Sequence, residues 1–229
     1  MRILAVDTAL GACSAAVLKE EQVYRRFVPM ARGHAEALAP MVADVMAEAG
    51  LDYADLDRLA VTTGPGTFTG QRIGLAFMRA LKVATGKPLN GVTSLAAMAA
   101  QALAETDAEN QAKTCAVLHD ARRDEVYFLL AGACQSEPEV LGFGAAVERL
   151  KSLPGLVLPG LVLAGTAAPA AAALLPQAVL SPVTAPDALW VARLAADSPP
   201  AAEAPAPLYL RPPDAKLPGG LLPDAARPA

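Results

Sequence analysis

The 229-residue chain has few aromatic residues, cysteines and histidines. Aromatic side chains make up 4% of it, which argues against a surface that stacks nucleic-acid bases. The three cysteines are an odd number without CxxC spacing, so the sequence predicts a reducing compartment rather than a disulfide scaffold. The only histidines are His34 and His119. A zinc site would need both of them together with a carboxylate.

An excess of positive charge is also missing. The 19 basic and 23 acidic residues give a net charge of -4, which disfavours binding to a phosphate backbone as the main function. The first acid, Asp7, comes too early for the core of a signal peptide. Prolines and glycines interrupt every possible membrane span in the uncharged stretch 152–186. We therefore expect a cytoplasmic protein without a membrane segment.

The remaining pattern alternates between strand and helix and predicts an α/β fold. In the first half, strands are expected at 3–6, 13–18, 23–28, 59–63 and 89–92, and helices at 34–49, 71–85 and 93–104. A polar break at 105–113 follows. The second half has expected strands at 114–119, 125–130 and 161–164, and helices at 168–175 and 187–196.

Both halves begin with a strand, an acidic turn and a second strand, which indicates a duplicated fold. We predict an N-terminal lobe at 1–105 and a smaller C-terminal lobe at 106–211. The last 32 residues hold nine of the 20 prolines, which disfavours helix or central strand there. The final part, 212–229, is expected to be a Pro-rich tail.

The sharpest local motif is Gly64-Pro65-Gly66-Thr67-Phe68-Thr69-Gly70, between a predicted strand and a predicted helix. Its backbone N–H groups, with the helix N-terminus, could bind an anion. It is not a Walker loop, because Gln71 stands where lysine should follow the last glycine. Close packing of strand and helix is the other interpretation of these glycines, and the motif leaves both open.

Asp7 and Asp120 each end a strand at the start of one half. As a pair of acids beside a cleft they could hold a metal-bound nucleotide. Aspartates that only form turns are the alternative, and they are common in proteins.

The two helices expected at 34–49 and 71–85 carry apolar residues on more than one face, whereas a surface helix needs only one apolar stripe. The extra apolar area predicts a second buried contact, within the fold or across a subunit interface. The residues that we assign to a partner interface are Leu38, Met41, Val42, Val45, Leu75, Met78, Arg79 and Lys82. The two cations would form a charged edge around an apolar centre.

Several segments together resemble the bacterial TsaB (YeaZ) family of tRNA threonylcarbamoyladenosine biosynthesis proteins. They are 3–9, 34–40, 64–74, 91–95, 120–127 and 207–211. The resemblance implies an actin-like ATPase fold with two related lobes of mixed sheet and flanking helices. It also implies a non-catalytic subunit that binds and activates the related TsaD as a heterodimer, beside the ATPase TsaE. Such a subunit would meet tRNA only through the complex, and in isolation we expect it to form a homodimer through the same surface.

The resemblance further implies a lost active site. The catalytic relative carries two metal-binding histidines at i, i+4, where this chain has Ser94 and Met98, which cannot replace them on a hard metal. Asp120-Ala121-Arg122 stands where an acid-glycine-glycine type of turn belongs. We therefore expect no catalytic residue, metal or cofactor in this chain. The residues of the degenerate nucleotide site are Asp7, Gly64, Gly66, Gly70 and Asp120.

Two rival functions remain. The first is a stand-alone, nucleotide-dependent enzyme of the same fold, with Asp7 and Asp120 as its metal-binding acids. The second is a metalloprotease, which is disfavoured because the sequence offers neither a metal pair nor a nucleophile with its base.

Overall fold

The chain forms two five-stranded mixed sheets with flanking helices in a computed structural model that describes residues 1–110, 114–153 and 160–211. The first part contains β1 (Arg2–Asp7), β2 (Ala12–Lys19), β3 (Gln22–Pro29), α1 (His34–Ala49), β4 (Arg58–Gly64), α2 (Phe68–Thr85), β5 (Leu89–Thr93) and α3 (Ser94–Asn110). The second contains β6 (Thr114–Asp120), β7 (Glu125–Gly132), β8 (Glu139–Gly142), α4 (Phe143–Ser152), β9 (Leu161–Ala164), α5 (Ala168–Leu174), β10 (Val179–Leu180) and α6 (Ala188–Asp197). The tail predicted at 212–229 lies outside the described residues.

The two sheets have the same strand order, β3-β2-β1-β4-β5 and β8-β7-β6-β9-β10. In each, the first strand of the half is antiparallel to its hairpin partner and parallel to the strand on its other side. The duplication predicted from the repeated strand, turn and strand pattern is confirmed. No helix in the described ranges is long and apolar enough to cross a membrane.

Local signals set the ends of the first two helices. The predicted bounds of α1 are confirmed, and Gly50 ends it in the left-handed conformation, with φ of 61°. The second helix begins at Phe68, three residues earlier than predicted. The reason is that Thr67 caps it, with its hydroxyl accepting from the Gly70 N–H at 3.1 Å.

The apolar residues of α1 and α2 lie in one core inside the protein. There the two helices pack against the first sheet and against each other. Six residues that we assigned to a partner interface are buried in this core: Leu38, Met41, Val42, Val45, Leu75 and Met78. That assignment is wrong for these six, because a helix packed on both a sheet and a neighbouring helix needs two apolar stripes. Only Arg79, which is exposed, and Lys82, which is partly exposed, reach the surface.

The C-terminal part of the chain returns to the first lobe, unlike the predicted division at 105/106. Helix α6 packs on the face of the first sheet opposite α1, and its Ala188, Val191 and Ala192 share a core with Ile3 and Ala5. Sequence reasoning also missed α4 and the short strands β8 and β10.

Candidate functional site

Asp7, at the end of β1, is completely buried. Its Oδ1 accepts from the Thr62 hydroxyl at 2.6 Å and from the Ala9 N–H at 3.1 Å. Its Oδ2 has no hydrogen-bond partner among the described residues. Burial raises the pKa of this carboxyl to about 7, although the bonds from Thr62 and Ala9 oppose the rise. The buried carboxyl is therefore bonded within the first lobe through its Oδ1.

The glycine loop is filled by the turn that follows Asp7. The Thr8 hydroxyl donates to the carbonyl of Gly70 at 2.6 Å and accepts from the Gly74 N–H at 3.0 Å. The Thr67 N–H donates to the carbonyl of Ala9 at 2.8 Å. The N–H groups of Gly74 and Thr67 therefore already have partners within the protein. The Gly70 N–H does too, because it donates to the Thr67 hydroxyl. The arrangement supports the close-packing interpretation of the loop over anion binding.

The glycines are required by the closeness of this packing. A Cβ on Gly66 would overlap the backbone of Ala9, and a Cβ on Gly70 would overlap the carbonyl of Thr8. Gly64 has φ of 111°, a conformation that strongly favours glycine. The buried Gln71, in the position of a Walker lysine, folds back so that its Nε2 donates to the Gly66 carbonyl at 3.1 Å.

Asp120 belongs to a different environment, the exposed turn between β6 and β7. Its Oδ1 accepts from the Arg122 N–H at 2.8 Å, which is the behaviour of a turn-forming aspartate. Arg122, Arg123 and Asp124 follow with φ of 65°, 57° and 59°. Asp7 is therefore buried at the end of β1, whereas Asp120 is exposed at the end of β6.

Ser94 and Met98, the two positions that the resemblance assigns to lost metal ligands, are also internal. Ser94 and Met98 are both fully buried, and Met98 packs in the core beside Leu95 and Leu10. No group of three or more histidine, cysteine, aspartate or glutamate residues that could hold a metal ion occurs in the part of the chain that the structure describes. Burial also lowers the pKa of His119 to about 4, against the opposing effect of Asp120, so this imidazole is neutral at neutral pH.

Of the five predicted site residues, Gly66 and Gly70 lie against the Thr8–Ala9 turn, and Asp7 directly precedes it. Gly64 lies against the Gln71 side chain, and Asp120 is in the exposed turn after β6. Thr8 and Thr62 are the important residues that sequence reasoning missed. Thr8 adjoins Asp7 in the sequence, so its position was a usable signal. Thr62 gave none, because its bond to Asp7 joins residues 55 positions apart.

Comparisons with known proteins show which family this chain resembles in sequence and in structure. A family model described as TsaD, tRNA N6-adenosine threonylcarbamoyltransferase, matches residues 19–184. An uncharacterized Mycobacterium tuberculosis protein is 39% identical over 220 residues, which is 93% of either chain. Escherichia coli TsaB, a tRNA threonylcarbamoyladenosine biosynthesis protein, is 38% identical over 128 residues, covering 56% of this chain and 54% of that protein. The solved structure of YeaZ from Pseudomonas aeruginosa superposes with a TM-score of 0.71 at 29% identity, over 91% of this chain and 99% of YeaZ.

Two mixed sheets of identical order, each flanked by helices and joined through α3, define an actin-like ATPase fold. The Asp7 and glycine-loop region of this fold is packed with the protein's own side chains and backbone. The chain belongs to the family described as TsaD, and within it to the TsaB/YeaZ proteins.

Proposed function

We propose that the chain takes part in tRNA threonylcarbamoyladenosine biosynthesis as a non-catalytic subunit that binds and activates a TsaD-type partner. The observation that carries the proposal is the state of the first lobe's candidate nucleotide site. Its carboxyl, Asp7, is buried with a raised pKa, and its glycine loop is filled by the Thr8–Ala9 turn. A subunit without a usable site would contribute by holding a catalytic relative, and the TsaB relatives are tRNA threonylcarbamoyladenosine biosynthesis proteins.

The proposed partner surface is the outward face of α1 and α2. It keeps Arg79 and Lys82 from the sequence-based interface and replaces the six core residues with exposed ones. Val83 is 86% exposed, which is the largest exposure among the large apolar residues described. Exposed small residues on the two helices are Ala39 and Ala43 of α1 and Ala76 and Ala80 of α2. Small side chains allow close approach of partner helices, and the cations supply a polar edge.

In this proposal the surface pairs with the TsaD-type partner and, in the isolated chain, with a second copy of itself. A TsaE-type ATPase joins the complex, and tRNA is contacted through the assembly rather than by this chain alone.

The test is reconstitution of tRNA modification from this chain with the TsaD-type and TsaE-type proteins of the same organism. We expect modified tRNA only when the chain is present. Val83→Glu should abolish co-purification with the TsaD-type protein and leave the melting temperature unchanged. Leu174→Glu, at an exposed apolar residue on α5, is the matched control and should bind normally.

The same preparation separates the subunit from a stand-alone enzyme. We expect the isolated chain to show no ATP turnover. Robust turnover that disappears in Asp7→Ala or Asp120→Ala would replace the scaffold proposal with the enzyme.

A further inference from the structure

The segment 199–211, here called the strap, leaves α6 and runs along the first sheet. The Asn90 side chain holds its start at two points: Nδ2 donates to the Pro199 carbonyl at 2.8 Å, and Oδ1 accepts from the Ala201 N–H at 3.1 Å. Pro205 then lies against Gly91 so closely that a Cβ on that glycine would sit 2.6 Å from the proline ring. The strap therefore covers the edge strand β5, whose backbone would otherwise be free to pair.

Beyond Pro205 the strap follows the beginning of α2. The Leu208 N–H donates to the carbonyl of Thr63 at 2.7 Å, at the end of β4. The ring of Tyr209 stacks on Phe68 with centroids 5.5 Å apart, and its hydroxyl accepts from Arg72 Nε at 2.9 Å. These contacts fix the direction of the last residues, so the strap leaves the first lobe at a defined point.

Arg211 then reaches the second lobe. Its guanidinium donates to the carbonyls of Ala121 and Arg122 and forms an ion pair with Glu125. Only 22% of its side chain is exposed. A guanidinium presents several N–H groups in a planar fork, so this one residue can satisfy two carbonyls and a carboxylate at once.

The turn that Arg211 contacts has a strained backbone. Arg122, Arg123 and Asp124 are consecutive non-glycine residues with left-handed backbone, a conformation that is unfavourable for residues with a Cβ. Such a turn persists only where surrounding contacts hold it. Within the turn, the Ala121 N–H donates to the Glu125 carbonyl at 2.8 Å, and the Arg122 carbonyl accepts from both the Glu125 N–H at 3.1 Å and Arg211 Nη2 at 3.3 Å.

The two lobes are also joined away from the strap. The segment from β10 into α6 crosses between them: the Gly165 N–H donates to the Val183 carbonyl at 2.8 Å, and the Ala188 N–H donates to the Ser14 hydroxyl at 3.0 Å. Helix α3 is shared between them, because Leu95 and Met98 pack with Leu10 of the first lobe and Val117 of the second. Arg211 adds a further attachment at the β6–β7 turn, and each attachment away from α3 restricts rotation of one lobe about that helix. Four prolines stiffen the strap, so that docking it costs less conformational entropy than docking a flexible segment.

We infer that the strap is an intramolecular latch. Arg211 closes it on the turn at 120–125, and the closed latch fixes the angle between the lobes and the left-handed form of that turn. The device does not depend on the proposed function, since it concerns contacts within one chain.

The experiment measures the distance between spin labels on the two lobes, and amide exchange in the turn, in the full chain. Labels are placed with Glu21→Cys and Ala145→Cys, at exposed positions in the β2–β3 turn and on α4, in a Cys134→Ser background. In the parent we expect one narrow distance distribution. Arg211→Gln should broaden or shift it, and should speed exchange of the Ala121 and Glu125 amides by about tenfold while β1 amides stay protected.

The matched control is Arg26→Gln, which removes an ion pair with Glu48 within the first lobe and does not touch the strap. It should change neither readout. An unchanged distance distribution in Arg211→Gln would overturn the latch, whatever happens to the turn. If that variant does not fold, Arg211→Lys takes its place. Lysine keeps the charge beside Glu125 but lacks the fork, so we expect the same changes at smaller size, and parent-like behaviour would again overturn the inference.

Discussion

Thr8 and Gly70 are in direct contact, with the Thr8 side-chain hydroxyl donating to the Gly70 carbonyl at 2.6 Å. The space between them is so small that any side chain at position 70 would overlap the Thr8 carbonyl. This contact joins the turn after β1 to the first turn of α2. It makes the glycine loop a packing element of the first lobe.

Gly70→Ala should therefore destabilise the protein. The new methyl would meet the Thr8 carbonyl and the Thr67 hydroxyl, and we expect a loss of about 1–3 kcal/mol or more in the free energy of unfolding. Denaturant unfolding provides the measurement. Gly144→Ala is the matched control, because a methyl there meets nothing within 4 Å inside α4, and it should be neutral or slightly stabilising. Equal effects of the two substitutions would contradict the packing role.

Met78 and Val83 lie on the same helix but should respond in opposite ways. Met78 is completely buried in the first lobe's core, so Met78→Ala should cost about 2–5 kcal/mol of unfolding free energy. Val83→Ala should stay within about 0.5 kcal/mol of the parent, because its side chain faces solvent. Both values come from the same denaturation experiment. If Met78→Ala left the free energy of unfolding unchanged, Met78 would again be a candidate for the partner surface.

The buried Asp7 should make the protein less stable as the pH rises. Its pKa is about 7 in the folded chain against an ordinary value of 3.8, so between these values the folded state binds the extra proton. Stability then falls as the pH rises from about 4 to about 7, by up to about 4 kcal/mol. Asp7→Asn cannot ionise and should remove this fall. The check is thermal unfolding of both proteins across pH 4.5–8, with the gain in Asp7→Asn largest at the alkaline end. A constant difference between the two curves would show that Asp7 does not titrate in this range.

The buried His119, in contrast to Asp7, should make the protein less stable as the pH falls. Its pKa is lowered from 6.5 to about 4 in the folded chain, so below pH 6.5 the unfolded state binds the extra proton. Stability is therefore lost as the pH falls from about 6.5 towards 4, by up to about 3 kcal/mol. His119→Gln should lose this dependence and be favoured relative to the parent at the acid end. The double variant Asp7→Asn/His119→Gln should have the flattest profile, and a profile as steep as the parent's would mean that other groups dominate.

The sequence by itself determined the elements whose causes are local. Gly50 ends α1 where the pattern predicted, because a left-handed residue suits glycine at a helix end. Repetition of strand, acidic turn and strand around Asp7 and Asp120 revealed the duplicated sheets. The motif at 64–70 located the loop between β4 and α2, although it left anion binding and close packing undecided.

The tertiary structure alone decided what covers each apolar face and which distant groups meet. Apolar spacing on α2 identified a second stripe through Met78, but spacing carries no information on whether a neighbouring helix or another subunit buries it. The bonds between Asp7 and Thr62, and between Arg211 and Ala121, join residues 55 and 90 positions apart. Such contacts depend on where the whole chain places each strand end, because hydrogen bonding is a matter of a few ångströms in space and not of order along the sequence.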